Sequence, residues 1–131
     1  MPITPFYVAL FGIILFVLSI RTIRMRRKLQ IAIGASNDAA MERAMRVHAN
    51  FCEYVPIALL LIYMMELVAG ANYWTHIMGI GLLVGRLVHA YGVSRPDEDF
   101  RFRVTGMALT FTVILSSASR ILISYAGWTS A

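Results

Sequence analysis

The sequence is poor in cysteine and in charge. Cys52 is the only cysteine, which excludes an intramolecular disulfide and argues against a cysteine-based metal site. Charged residues make up 15% of the 131 residues, against about 25% in a typical soluble domain. Hydrophobic residues reach 59% and fall in long stretches separated by short charged ones, the pattern of membrane spans and their loops. Four spans of about 20 residues use most of the chain, so we predict one domain over residues 1–131.

The fold class that this pattern predicts is an all-α integral membrane protein, a bundle of four transmembrane helices. The first apolar run has no basic residue before it and no evident small-residue cleavage site, so it is interpreted as a retained helix and not as a signal peptide. A turn-rich stretch follows, in which Asn37 or Asp38 is a candidate cap for the second helix. The four helices are predicted at about residues 5–22, 44–69, 73–93 and 103–126.

The basic residues predict how the chain crosses the membrane. Seven of the twelve Lys and Arg residues lie in or beside the first loop and three more beside the third. Basic loops stay in the cytoplasm, so both termini are predicted to be periplasmic. Four aromatic residues would then form a belt at the far interface: Tyr73, Trp74, Tyr125 and Trp128. Because the charges border apolar spans, the expected partner is membrane lipid and not nucleic acid.

Ionisable side chains inside the spans are the strongest functional signal, since each costs about 2.5–3.5 kcal/mol at mid-helix on insertion scales. One face of the second helix presents four polar residues at i, i+4, i+7 and i+8: Arg46, Asn50, Glu53 and Tyr54. On the third helix, Arg86 and His89 lie one turn apart on a common face. Glu53 and Arg86 fall at similar depth with opposite charge, so we expect them to form an ion pair or to share a ligand.

A buried ion bridge with a purely structural role is the alternative interpretation of this pair. Four further arginines gather at the same side of the membrane, more donors than such a bridge needs: Arg26, Arg27, Arg101 and Arg103. A cationic pocket with one carboxylate suits a ligand that has several carboxylates and one amine. A small transporter of organic cations centred on Glu53 is a second alternative, although the surrounding arginines would repel cations. No metal-ligand cluster, phosphate-binding glycine loop or Ser-His-Asp spacing appears, so no metal is predicted.

Two features outside this cluster receive structural interpretations. Gly81 and Gly85 form a GxxxG pair in the third helix, which predicts close packing against another helix. Glu66 falls near the far end of the second helix, where we expect it to be solvated.

The second helix also carries a family resemblance. The run from Glu42 to Pro56, ERAMRVHANFCEYVP, resembles the signature of the MAPEG superfamily, the membrane-associated proteins of eicosanoid and glutathione metabolism. The basic pair after the first span, the run Gly85-Arg86-Leu87-Val88-His89 and the arginine that opens the fourth helix are similar to other motifs of that family. The small size resembles its bacterial, microsomal-glutathione-transferase-like branch.

The resemblance implies a homotrimer of four-helix bundles in a bacterial inner membrane, with glutathione bound as co-substrate between subunits near the cytoplasmic side. Arg103 would stabilise the glutathione thiolate, and Arg101 competes for that role because the third loop differs in length from the family's. Some members carry tyrosines one and two turns along from Arg86, where this chain has His89 and Val93. The resemblance implies glutathione contacts at Arg26, Arg46, His48, Asn50, Glu53 and Tyr54, and the full set of residues that we predict to bind glutathione adds Arg27, Arg86, His89 and Tyr91.

The function that the resemblance implies is a membrane-bound glutathione transferase or peroxidase. The thiolate would attack a lipophilic electrophile or a hydroperoxide that arrives from the bilayer. The choice among conjugation, reduction and isomerisation stays open, as does the physiological electrophile. A non-catalytic membrane protein that binds glutathione or an anionic lipid remains an alternative beside the transporter.

Overall fold

The computed structural model describes the backbone of residues 1–129 and the side chains of residues 1–127. It contains four helices and, within residues 1–129, no strand: α1 (Thr4–Leu29), α2 (Ala39–Ala69), α3 (Tyr73–Ser94) and α4 (Phe100–Thr129). All four are long and apolar enough to cross a membrane. The predicted all-α, four-helix membrane fold is therefore confirmed, whereas the trimer stays a prediction.

The helices extend beyond the apolar runs from which they were predicted. α1 runs seven residues past residue 22, through three basic residues in its last turn that are favourable at the negative end of a helix dipole, and Gln30 ends it in the left-handed conformation (φ 56°). α2 begins at Ala39, five residues earlier than predicted, because the Asp38 side chain accepts the Met41 N–H at 2.7 Å. The predicted cap is thus confirmed at Asp38, and charged turns continue the helices outside the apolar segments.

Glycines allow α3 and α4 to pack closely. A Cβ atom added at Gly106 would lie 2.6 Å from the Gly85 carbonyl oxygen, and one added at Gly81 would lie 3.2 Å from Val113. A Cβ atom does not fit at Gly106, and one at Gly81 would require Val113 to shift, so the GxxxG pair of α3 serves helix packing, as predicted. This close approach places the Gly106 backbone beside the buried face of α3 that carries Arg86.

Glu66, at the far end of α2, corrects a prediction. The residue is 5% exposed, and its carboxylate accepts the backbone N–H of Ile3 and that of Thr4, the latter at 2.9 Å. The first N–H groups of a helix lack intrahelical acceptors, and Glu66 supplies one from a neighbouring helix. It is buried because it caps α1, and the prediction of a solvated residue was wrong.

Aromatic side chains lie at the same end of the bundle as Glu66. Tyr73 and Tyr125 are exposed, and the Arg120 guanidinium lies 5.5 Å from the centre of the Trp74 ring. This arrangement agrees with an aromatic belt at that interface. The fourth member of the predicted belt, Trp128, has its side chain outside the described residues.

Candidate functional site

Arg86 is the centre of a polar cluster inside the bundle. It is 3% exposed, and its Nη1 donates to Asn50 Oδ1 at 2.6 Å. Its Nη2 donates to the Gly106 carbonyl oxygen and to Met107 Sδ, both at 3.3 Å. The Tyr54 ring centre lies 5.8 Å from the guanidinium carbon, within cation–π range. Helices α2, α3 and α4 therefore converge on one buried cation.

The expected ion pair between Glu53 and Arg86 is not formed. Among the described residues the ion pairs are those of Glu98, and the acceptor that meets Arg86 is the Asn50 amide. Glu53 lies three residues from Asn50, about 60° round the helix, and its side chain is exposed and not buried in the bundle. The neutral Asn50 amide, and not the Glu53 carboxylate, thus accepts the hydrogen bond of Arg86. The sharing of a ligand by Glu53 and Arg86 stays a prediction.

A cationic cavity of about 300 Å³ opens where α2, α3 and the third loop meet. Its lining residues are Ala39, Glu42, Arg43, Arg46, Val93, Glu98 and Arg103. The Glu98 carboxylate lies between two of the arginines, with Oε2 at 3.0 Å from Arg43 Nη1 and Oε1 at 3.6 Å from Arg103 Nη1. Three arginines against two glutamates leave the lining with a net positive charge, which suits an anionic ligand.

A second, apolar groove of about 460 Å³ runs along the outer face of α4. It is lined by Phe100, Arg103, Val104, Met107, Ala108 and Phe111. Two of these residues also touch the buried cluster, since Met107 contacts Arg86 and the Phe111 ring packs edge-on against Tyr54 with ring centres 5.6 Å apart. Arg103 lines both the groove and the cationic cavity, so the polar and the apolar space both border this residue.

Arg101 and Arg103 differ in what they line. Arg101 is exposed, and its backbone N–H bonds Asp99 Oδ1 at 2.9 Å in the first turn of α4. Its side chain lines neither the cationic cavity nor the apolar groove, whereas Arg103 lines both. Two residues along a helix correspond to about 200° of rotation, which turns Arg101 away.

The first-loop arginines lie in a different part of the protomer. Arg26 and Arg27 line a separate cavity of about 340 Å³ at the end of α1. Arg26 Nη1 donates to backbone carbonyl oxygens of the loop, the shortest distance being 3.0 Å to Gly34. Within one protomer, these two predicted glutathione contacts are not brought to the cavity that contains Arg46.

His48 is turned towards α1. Its Nε2 lies 3.0 Å from Ser19 Oγ, and its Nδ1 lies 4.0 Å from Cys52 Sγ on the next turn of α2. Cys52 is exposed and not packed in the core. His48 is therefore outside the Asn50–Arg86 cluster, as its position round the helix indicates.

The two remaining predicted residues of α3 lie on different faces. His89 is 4% exposed and packs against α4, where a Cβ atom added at Gly106 would lie 2.7 Å from its backbone nitrogen. Tyr91 is exposed, its hydroxyl accepts from Arg95 Nη1 at 2.7 Å, and its ring packs against Phe102 with ring centres 5.3 Å apart. His89 thus joins the buried side of α3, and Tyr91 is directed away from Arg86.

Sequence reasoning missed the roles of Arg43 and Glu98. Arg43 was counted only as part of the basic loop, yet it donates to the Val93 and Pro96 carbonyl oxygens at 3.3 Å as well as to Glu98. Glu98 is one of three consecutive carboxylates in the third loop. Nothing in their order distinguishes the one that turns inward, because loop conformation decides it.

These features define a small polytopic membrane protein with an electropositive site between its helices. The model of the MAPEG family matches residues 4–123, and this chain belongs to that family. It is similar to the inner membrane protein YecN of Escherichia coli (strain K12), with 34% identity over 113 residues that cover 86% of this chain and 85% of that protein. The inner membrane protein YecN of E. coli O6:H1 (strain CFT073 / ATCC 700928 / UPEC) is equally similar. Neither name states a reaction.

Proposed function

We propose that this chain is a membrane-bound glutathione transferase or peroxidase, acting as a homotrimer in a bacterial inner membrane. The observation that carries the proposal is the position of Arg103, which lines both the cationic cavity and the apolar groove of α4. A peptide thiol in the cavity and a lipophilic electrophile in the groove would meet at this guanidinium. Membership of a family of glutathione and eicosanoid metabolism supports the choice of thiol.

The chemistry requires a thiolate, since the thiol itself is a poor nucleophile. A neighbouring cation lowers the pKa of a thiol, and arginine supplies that charge without deprotonating. In conjugation, the sulfur forms a bond to the electrophilic carbon while the leaving group departs with the bonding electrons. In peroxide reduction, two glutathione molecules are oxidised to the disulfide as the hydroperoxide is reduced to an alcohol and water.

The remaining polar groups would recognise the tripeptide. Arg46 faces the cavity and would bind a glutathione carboxylate, while the exposed carboxylate of Glu53 would accept its ammonium group. Arg86 is 3% exposed and does not line the cavity, so it would act from inside the bundle by orienting Asn50 towards the peptide. Within one protomer, the cavity that Arg26 and Arg27 line is separate from the one that contains Arg46. In the proposed trimer, the Arg26 and Arg27 cavity of a neighbouring subunit would complete the site.

We also propose that the basic loops face the cytoplasm and both termini the periplasm. The cavity lies at the end of the bundle where these loops are, so the site would open towards cytoplasmic glutathione. Lipophilic substrates would enter sideways from the bilayer along the α4 groove, which is made of residues that membrane lipid would otherwise contact.

Conjugation of a chlorinated nitroaromatic with glutathione, measured on the purified protein in detergent, tests the proposal. Replacing Arg103 by Gln should lower kcat about a hundredfold, comparable to the loss of one preorganised charge-stabilising donor. Arg101→Gln is the matched control, since it removes the same charge two residues away, and it should stay within about twofold of native activity.

Native activity in Arg103→Gln would reject the thiolate role. Glutathione binding without turnover on a broad panel of electrophiles would instead indicate a binding protein. Proton-dependent flux of organic cations in vesicles would favour the transporter.

A further inference from the structure

We infer that the Glu98 carboxylate tunes Arg103 by partly neutralising the charge of its guanidinium. The inference rests on the proposed function and deepens it, because it names the group that tunes the thiolate-stabilising arginine. Glu98 belongs to the third loop and not to any helix, so it was absent from the set of residues that the helical pattern predicted.

The Glu98 side chain is largely buried at the wall of the cavity. It is 10% exposed, whereas Arg43 and Arg103 are 29% and 45% exposed, so the carboxylate lies deeper than either cation. Arg43 fixes it from one side, since the Arg43 guanidinium also donates to the Val93 and Pro96 carbonyl oxygens. Contacts with Arg43, which is itself bonded to α3 and the loop, therefore fix the position of the Glu98 carboxylate independently of Arg103.

The two carboxylate oxygens are used unequally. Oε2 makes a hydrogen-bonded ion pair with Arg43 at 3.0 Å. Oε1 is buried and lies 3.6 Å from Arg103 Nη1, beyond hydrogen-bond distance, and it has no hydrogen-bond partner among the described residues. This looser contact offsets part of the charge of Arg103 while leaving its N–H groups available to an anion in the cavity.

Other ionisable groups near Glu98 and Arg103 contribute to the electrostatic potential in the cavity. From α2, Glu42, Arg43 and Arg46 line the cavity, and from α3, the buried His89 packs against α4. Glu98 is the carboxylate that contacts Arg103 among the groups that line the cavity. Removing its charge leaves the arginines less compensated, so a thiolate in the cavity becomes more stable and the bound thiol ionises at lower pH.

The test is a pH titration of the ultraviolet thiolate absorbance of glutathione bound to the full-length protein in detergent. Glu98→Gln keeps the size of the side chain and removes its charge, and it should move the midpoint down by about one pH unit. The pH dependence of kcat should move with it. Asp97→Asn is the matched control, since it removes the same charge from an exposed neighbour in the same loop, and its midpoint should match the native one.

An unchanged or higher midpoint in Glu98→Gln overturns the inference. If that variant does not fold, Glu98→Asp serves instead, because the shorter side chain moves the carboxylate away from Arg103. A smaller downward shift of the midpoint is then expected, and an unchanged midpoint overturns the inference. A native protein without any thiolate band refutes the proposed function separately. In that case the affinity for S-methylglutathione, which has no ionisable thiol, decides about Glu98: it should rise several-fold in Glu98→Gln, and an equal affinity overturns the inference.

Discussion

The hydrogen bond between Arg86 and Asn50 gives the sharpest test of the buried cluster. Replacing Asn50 by Ala removes the acceptor that lies 2.6 Å from Nη1 of a 3% exposed arginine. A buried charge that loses an acceptor is costly, because neither water nor lipid replaces it. The Gly106 carbonyl oxygen and Met107 Sδ remain bound to Nη2, so the loss is partial.

The expected magnitude follows from two limits. Hydrogen bonds to charged groups contribute about 1.5–3 kcal/mol in soluble proteins. Side-chain hydrogen bonds between transmembrane helices average about 0.6 kcal/mol and reach about 1.7, because the unfolded chain in the membrane also finds partners. Arg86 is charged and deeply buried, which favours the upper end of the membrane range. We therefore expect a coupling free energy of about 1.5 kcal/mol.

A double-mutant cycle measures this coupling. The free energy of unfolding is determined by denaturant titration in mixed micelles for the native protein, Asn50→Ala, Arg86→Met and the double variant. Thr112→Ala is a control that removes only a hydrogen bond to the Ala108 carbonyl oxygen on the exposed face of α4, and it should change stability by less than about 0.5 kcal/mol. Additive effects of the two substitutions would falsify the claim that the contact stabilises the bundle.

Two further predictions concern packing and capping. Gly106→Ala would place a Cβ atom 2.6 Å from the Gly85 carbonyl oxygen, so it should destabilise the α3–α4 pair by about 1–3 kcal/mol in the same titration. Gly12→Ala is the control, because nothing lies within 4 Å of a Cβ atom added there. A loss of stability in Gly106→Ala no larger than in Gly12→Ala would contradict the close packing. Glu66→Gln should lower the free energy of unfolding by about 1–2 kcal/mol and speed hydrogen exchange at the Thr4 amide, since a carboxylate is the better acceptor for a helix N-terminus. Native exchange rates at that amide would show that Glu66 does not cap α1.

The candidate site was partly predictable from spacing on single helices. Asn50 and Tyr54 lie one turn apart on α2, and both reach Arg86 of α3 as the common face indicated. The same spacing did not show that Glu53 turns outward, because a rotation of about 60° decides between the bundle interior and its surface. Which side of a polar face meets the neighbouring helix depends on how the two helices pack.

The sequence by itself determined the four helices, since apolar runs of membrane-spanning length have few stable alternatives in lipid. It also narrowed the cap of α2 to Asn37 or Asp38 and predicted the glycine face of α3, because both features depend on residues close together along the chain. Only the tertiary structure decided that Glu98 meets Arg43 and Arg103, because these contacts join a loop to two helices. Local geometry specifies a helix and its faces, whereas a site between helices depends on the distances and rotations that packing sets.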